Sequence, residues 1–183
     1  MIALLRHLLS ILLLPFTVVA VVPYALLRSD AGAALRWDGA SPRAAWIMHA
    51  AGIDVFLAGF ALFTWCGVLV ARVGRGTLAP WDPTRRLVAA GPYRHVRNPM
   101  ISGVAIMLAG EALAWRSGAL ALWLGAFILI NHTYFLLSEE PGMENRFGDD
   151  YRLYRANVPR WIPRLRPWTG LARPDPWMVR GRV

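Results

Sequence analysis

Residues 99–138 read PMISGVAIMLAGEALAWRSGALALWLGAFILINHTYFLLS. A bilayer span takes roughly twenty apolar residues. This stretch holds two of them, Pro99 to Trp115 and Ser117 to Ser138, with little more than Arg116 to Gly118 between. So short a break predicts a tight antiparallel helical hairpin. Polar residues interrupt it at three places: Glu111 near the end of the first arm, and Asn131 and His132 inside the second.

Upstream, Ala44 to Ala71 makes another span, interrupted by His49 and Asp54, and Leu8 to Leu27 makes the first, with Pro15 and Pro23 as kinks. Arg6 and His7 precede that first run as they would in a signal peptide. It is too long for a signal core and has no clear small-residue cleavage site, so it is expected to be retained. The expectation is an all-α membrane protein of about four transmembrane helices, built as a single domain over residues 1–183. The composition agrees: 56% of residues are hydrophobic, 17% are charged and mean hydropathy is +0.40, an imbalance foreign to a soluble domain of this size. The lone cysteine, Cys66, excludes a disulfide framework and a cysteine metal site.

The net charge is +9, and all twenty basic residues are arginine. Nucleic-acid binding is the usual inference from such a charge, but these arginines sit between and after apolar runs. Anionic lipid headgroups are the better partner. With four spans, sixteen arginines fall on one side, and only Arg28, Arg36, Arg43 and Arg116 on the other. The positive-inside rule then puts both termini in the cytoplasm, at a bacterial inner membrane. After the fourth span, Glu139 to Arg155 is polar, with Met143, Phe147, Tyr151 and Tyr154 at helical spacing. It is expected to form an amphipathic helix on the cytoplasmic surface, ended by Pro159. Arg164 to Val183 is expected to be an irregular tail within the cytoplasmic segment 139–183.

Two polar clusters flank the hairpin on the cytoplasmic side. Gly91-Pro92-Tyr93-Arg94-His95-Val96-Arg97-Asn98-Pro99 leads into its first arm. Asn98-Pro99 has the form of a helix start, so Asn98 is either a cap or a ligand-binding side chain. Ser138-Glu139-Glu140-Pro141 closes the second arm. Two acids at a helix C-terminus oppose its dipole and call for a positive partner, an arginine or a cationic ligand. The hairpin brings Arg97, Asn98, Glu139 and Glu140 within reach of each other. His132, seven residues before Glu139, is placed two turns deeper on the same face, roughly 10 Å along the axis. Asp54 and Glu111 are expected to be buried acids in structural use.

At these clusters the sequence resembles a known superfamily. GPYRHVRNPMISG resembles the GPYRxxRHPxYxG segment of isoprenylcysteine carboxyl methyltransferases and their bacterial relatives. EEPGMENRFGDDYRLYRANVPRWIP, residues 139–163, resembles their EExxLxxxFGxxYxxYxxxVPxxIP segment. Phosphatidylethanolamine N-methyltransferases are more distant relatives. The match covers roughly residues 76 to 163. Asn98 stands where the family has histidine, and Ile101 where it has tyrosine.

The resemblance implies a methyltransferase that uses S-adenosylmethionine at the cytoplasmic face and takes a lipid-like substrate from the bilayer. By position, it implies cofactor contacts at Arg97, Asn98, Pro99, Glu139 and Glu140, and a closing tail with Tyr151, Tyr154, Arg155, Pro159 and Arg160. The chemistry suits these residue types. Glu139 or Glu140 suits the cofactor's ammonium or ribose, Arg97 or Arg160 its carboxylate, and Tyr93, Tyr151 or Tyr154 its sulfonium. His132, Glu140 and Arg160 are the expected catalytic residues, and a carboxylate or an amine is the acceptor. Two other classes compete: a four-helix transporter coupled through Asp54 or Glu111, and a membrane reductase using NADPH.

Overall fold

The computed structural model describes residues 12–74 and 87–170. Every regular element among them is helical. A π-helical segment, Leu12–Val21, runs into α1 (Val22–Arg28), followed by the short α2 (Asp30–Ala34). Next come α3 (Pro42–Leu69) with a π-helical extension Val70–Gly74, and a 3-10 turn Gly91–Arg94. Then follow α4 (Pro99–Ala114), α5 (Gly118–Tyr134), a π turn Phe135–Glu139, and α6 (Glu140–Asn157). Residues 1–11 of the N-terminal region, including Arg6, His7 and the start of the first expected span, lie outside the described residues, as do Arg75, Arg85, Arg86 and the tail beyond Gly170.

Local chemistry sets the helix starts. Ser41 caps α3 by accepting from Ala44 N–H at 3.3 Å, with Pro42 behind it in the first turn. Ser117 caps α5 through Leu120 N–H at 3.3 Å and is fully buried. Two helices are long and apolar enough to cross a membrane: Pro42–Gly74, 33 residues, and Gly118–Asn157, 40 residues. The other expected spans are shorter apolar helices, Pro15–Arg28 and Pro99–Ala114. At 1.5 Å per residue α4 is about 24 Å long, against a hydrocarbon core of about 30 Å.

The hairpin is there, but the closest pair in the bundle is α3 with α4. A Cβ on Gly59 would come within 2.6 Å of Gly103 O and 2.7 Å of Met107 N. One on Gly52 would come within 2.5 Å of Ala114 N and 2.6 Å of Gly110 O. Glycines seven apart on each helix thus let two antiparallel backbones touch. Phe63, Val104, Met107, Leu108 and Phe127 fill the space between α3, α4 and α5. Trp123 Nε1–H donates to Val18 O at 3.1 Å, tying the N-terminal segment to α5.

At one end of the bundle the α4–α5 turn is held by Arg116 in the left-handed region (φ +49°). It exchanges backbone hydrogen bonds with the segment after α2: Trp37 N–H to Arg116 O and Gly118 N–H to Leu35 O, both 2.8 Å. Asp54 departs from expectation. It is exposed on the outer side of α3, because the inner side is taken by the glycine contacts with α4. Glu111 is partly buried, and its Oε2 has no hydrogen-bond partner among the described residues.

At the other end, α6 is broken at Gly148 (φ +54°, ψ −128°). Met143, Phe147, Tyr151 and Tyr154 share one cluster across the break, as their spacing predicts. That face packs against the chain's own Val158, Trp168, Leu87 and Ala89.

Candidate active site

The site is built where the loop before α4 meets the tail after α6. The tail runs back along the loop and exchanges backbone hydrogen bonds with it. Arg97 N–H donates to Pro159 O (2.8 Å), Arg164 N–H to His95 O (3.0 Å) and Trp168 N–H to Arg94 O (2.9 Å). Side chains lock the same pairs: Arg94 Nε–H donates to Trp168 O at 2.7 Å, and the His95 ring to Arg164 O at 2.8 Å. Tyr154 Oη–H donates to Tyr93 O at 2.6 Å, fixing α6 beneath the loop. Pro159, Pro163 and Pro167, four apart, keep this tail out of helix.

Inside this frame lies an ion cluster. Glu140 Oε1 receives Arg160 Nε–H at 2.7 Å and meets Arg97 Nη1 at 2.9 Å. The Glu140 and Arg97 side chains are 9% and 11% exposed, so little solvent screens the pair. Burial pushes the Glu140 carboxyl up, but the Arg160 hydrogen bond and the charges of Arg97 and Arg160 outweigh it and hold it below its ordinary value. Glu139 goes the other way. Burial first, and the neighbouring Glu140 charge second, raise it from 4.5 to about 7. The cluster therefore holds two permanent cations against one secure anion. Arg97 Nε is buried with no hydrogen-bond partner among the described residues.

Other expected residues fall around this cluster. Tyr151 lies close enough for its hydroxyl to feel both Glu140 and Arg97, and its ring is 6.3 Å from that of Tyr154. Asn98 occupies the cap position of α4, but its side chain makes no capping hydrogen bond. Its carbonyl accepts from Ser102 instead, at 3.0 Å from both N and Oγ. Pro99 is buried. Arg155 is exposed and pairs with Glu144 at 3.1 Å. His132 does not meet Glu139. The π turn Phe135–Glu139 widens the helix between them and rotates Glu139 away from its α-helical register. The partner of His132 is Trp161, whose indole N–H donates to His132 Nδ1 at 3.1 Å.

Two clefts flank the tail. One, of about 340 Å³, is polar and lined by Glu140, Glu144, Asn145, Arg152 and Arg155, among others. The second, of about 720 Å³, is largely apolar and runs between Leu62 and Trp65 of α3, Ile106 of α4 and Ile128 of α5. Arg160 and Trp161 are consecutive and reach to opposite sides. Arg160 holds Glu140 at the polar cleft, and Trp161 walls the apolar one and packs on Phe135 at 5.6 Å. Neither Trp161, Trp168 nor His95 stood out in sequence. The only signal was their place within or beside the two motifs.

The arrangement can hold a small zwitterion against charged side chains beside an apolar chamber. A family model described as phospholipid methyltransferase matches residues 47–150, which include most of α3, all of α4 and α5, the loop and the acidic pair. An uncharacterized protein of Haemophilus influenzae is 42% identical over 50 residues, covering 26% of this chain and 78% of that protein. The chain belongs to the phospholipid methyltransferase family, and that family implies a methyltransferase working at a membrane.

Proposed function

We propose that this protein transfers the methyl group of S-adenosylmethionine to a small lipid-like or isoprenoid-linked acceptor drawn from the bilayer. The observation that carries the reading is the junction at Arg160–Trp161, where a buried, net-positive ion cluster and an apolar cleft share one wall. The residues fit the cofactor. Arg97 offers a buried, unpartnered Nε–H for a carboxylate, and Asn98 an amide that makes no capping bond. Glu139 accepts an ammonium or ribose hydroxyls, and Tyr151 presents an aromatic face beside them. Arg160, by binding Glu140, keeps that carboxylate ionised and directed. When bound, the cofactor supplies an electrophilic methyl on a sulfonium. The chain's own task is to align an acceptor with it and exclude water, which positioning between two walls achieves.

The same reading places four spans in a bacterial inner membrane, with the arginine-rich loop and tail in the cytoplasm. Its support is the glycine contact of α4 along α3: if α3 lies in the membrane, α4 lies there with it. The exposed position of Asp54 offers a transporter no path inside the bundle.

Calorimetric titration of the detergent-solubilised protein with S-adenosylhomocysteine tests the proposal. Binding is expected, weakened strongly in Glu140→Ala and Glu140→Gln and unchanged in Asp54→Asn. No heat at millimolar ligand overturns it. Because removing Glu140 strands two partly buried arginines, at a cost of up to about 3–5 kcal/mol, the isosteric Gln variant guards against simple unfolding.

A further inference from the structure

His95 has a fixed ring with one free nitrogen. Its Nδ1 lies 2.8 Å from Arg164 O, while its own carbonyl accepts from Arg164 N–H at 3.0 Å. A carbonyl oxygen only accepts, so Nδ1 carries the proton. The neutral ring then bears its lone pair at Nε2. Nε2 has no hydrogen-bond partner among the described residues. The double attachment to Arg164 leaves the ring little freedom to turn.

His95 lines the 720 Å³ cleft. Of its fifteen lining residues, only Arg94 and His95 are ionisable side chains. Arg94 offers only donors, and its Nε–H is committed to Trp168 O. The helices contribute no ionisable group: Leu62 and Trp65 from α3, Ser102 and Ile106 from α4, and Ile128 from α5. From the tail, the Arg164 guanidinium is turned to Asn157 O at 2.8 Å. His95 is therefore the one side chain lining this cleft with a free basic nitrogen. His132 differs. Its Nδ1 is occupied by the Trp161 N–H, so its neutral ring keeps the proton at Nε2, and a second proton displaces that bond.

We propose that His95 is the proton acceptor of the transfer, serving an acceptor that enters as an ammonium with its apolar part in this cleft. The inference rests on the methyltransferase reading above. His95 Nε2 takes one proton from R–NH₃⁺, leaving R–NH₂ with a free lone pair. That pair forms the N–C bond to the sulfonium methyl as the C–S bond breaks, and its electrons stay on sulfur as a neutral thioether. The product leaves as R–NH₂CH₃⁺, and His95 returns its proton to water.

The test is His95→Gln, whose amide can still donate to Arg164 O. Wild type and variant are incubated with labelled S-adenosylmethionine and vesicles of phosphatidylethanolamine and phosphatidylglycerol, and label in extracted lipid is counted from pH 6 to 10. S-adenosylhomocysteine binding and thermal unfolding are measured in parallel. The variant is expected to lose on the order of 100-fold in rate at pH 7. The deficit should shrink towards pH 10, where the amine sheds its proton unaided, while binding and unfolding stay unchanged. A variant at wild-type rate, or a deficit equal at every pH, overturns the proposal. So does a wild type that binds S-adenosylhomocysteine but labels no amine lipid. A wild type that does not bind it fails the methyltransferase reading itself.

Discussion

Glu139 and Glu140 are adjacent in sequence, yet their surroundings drive them apart. Glu140 is held ionised by two arginines, and Glu139 is raised to about 7 by burial and by its neighbour. The sign of the second effect is testable. A carboxyl whose folded value exceeds its unfolded one binds its proton more tightly in the fold. Stability is therefore lost as pH rises from about 4.5 to about 7, then levels off. Glu139→Gln should remove that decline and raise the melting temperature at pH 8 relative to wild type, with little change at pH 4.5. Thermal unfolding in detergent across this range checks it, and identical pH slopes in both proteins would count against it. The need for a positive partner at the acidic pair was legible, but the helix end invoked for it is absent: the helix runs on through Glu140, and of the two acids only Glu140 pairs with arginines among the described residues. Which acid each arginine chooses was not legible, because Arg160 reaches Glu140 from a tail whose path no local pattern encodes.

At the scale of elements, the contact of α3 with α4 depends on glycines where a side chain would strike backbone. Gly59→Leu should cost at least the 1–3 kcal/mol of ordinary overpacking, since Gly103 O and Met107 N cannot rotate away. Gly125 on α5 has nothing within 4 Å of a built Cβ. Gly125→Ala should therefore be neutral or stabilise by up to about 1 kcal/mol through helix propensity. Denaturant titration of both variants checks the contrast, and equal effects would remove the special role of the glycine face. The seven-residue spacing of Gly52 with Gly59 and of Gly103 with Gly110 was open to view in the sequence. Hydropathy weighs glycine as nearly neutral, so this spacing carries no signal in it, whereas the short loop marks the pairing of α4 with α5 directly. The π turn at Phe135–Glu139 was equally hidden, since apolar spacing alone does not separate a π turn from an α turn.

For the molecule as a whole, the number of crossings has a direct test. Native Cys66 is fully buried, so single cysteines can be placed around it with little background. Asp38→Cys and Asn145→Cys are both at exposed positions. With four crossings, an impermeant maleimide should label position 38 from outside and position 145 only after the membrane is opened. With only α3 and α5 crossing, the two positions would share a side and label alike.

The amino-acid sequence by itself determined that the chain is helical and apolar, that a short break folds α4 back on α5, and that arginines gather around two motifs. These properties are local: hydropathy, helical period and capping act over a turn or a loop. Only the tertiary structure decided that the tail closes on the loop, that Trp161 engages His132, and that His95, with one ring nitrogen free, lines an apolar cleft. Those contacts join residues as far apart as His95 and Arg164. They form only once the packed helices have brought the loop and the end of α6 to one end of the bundle, and no neighbour in the chain announces them.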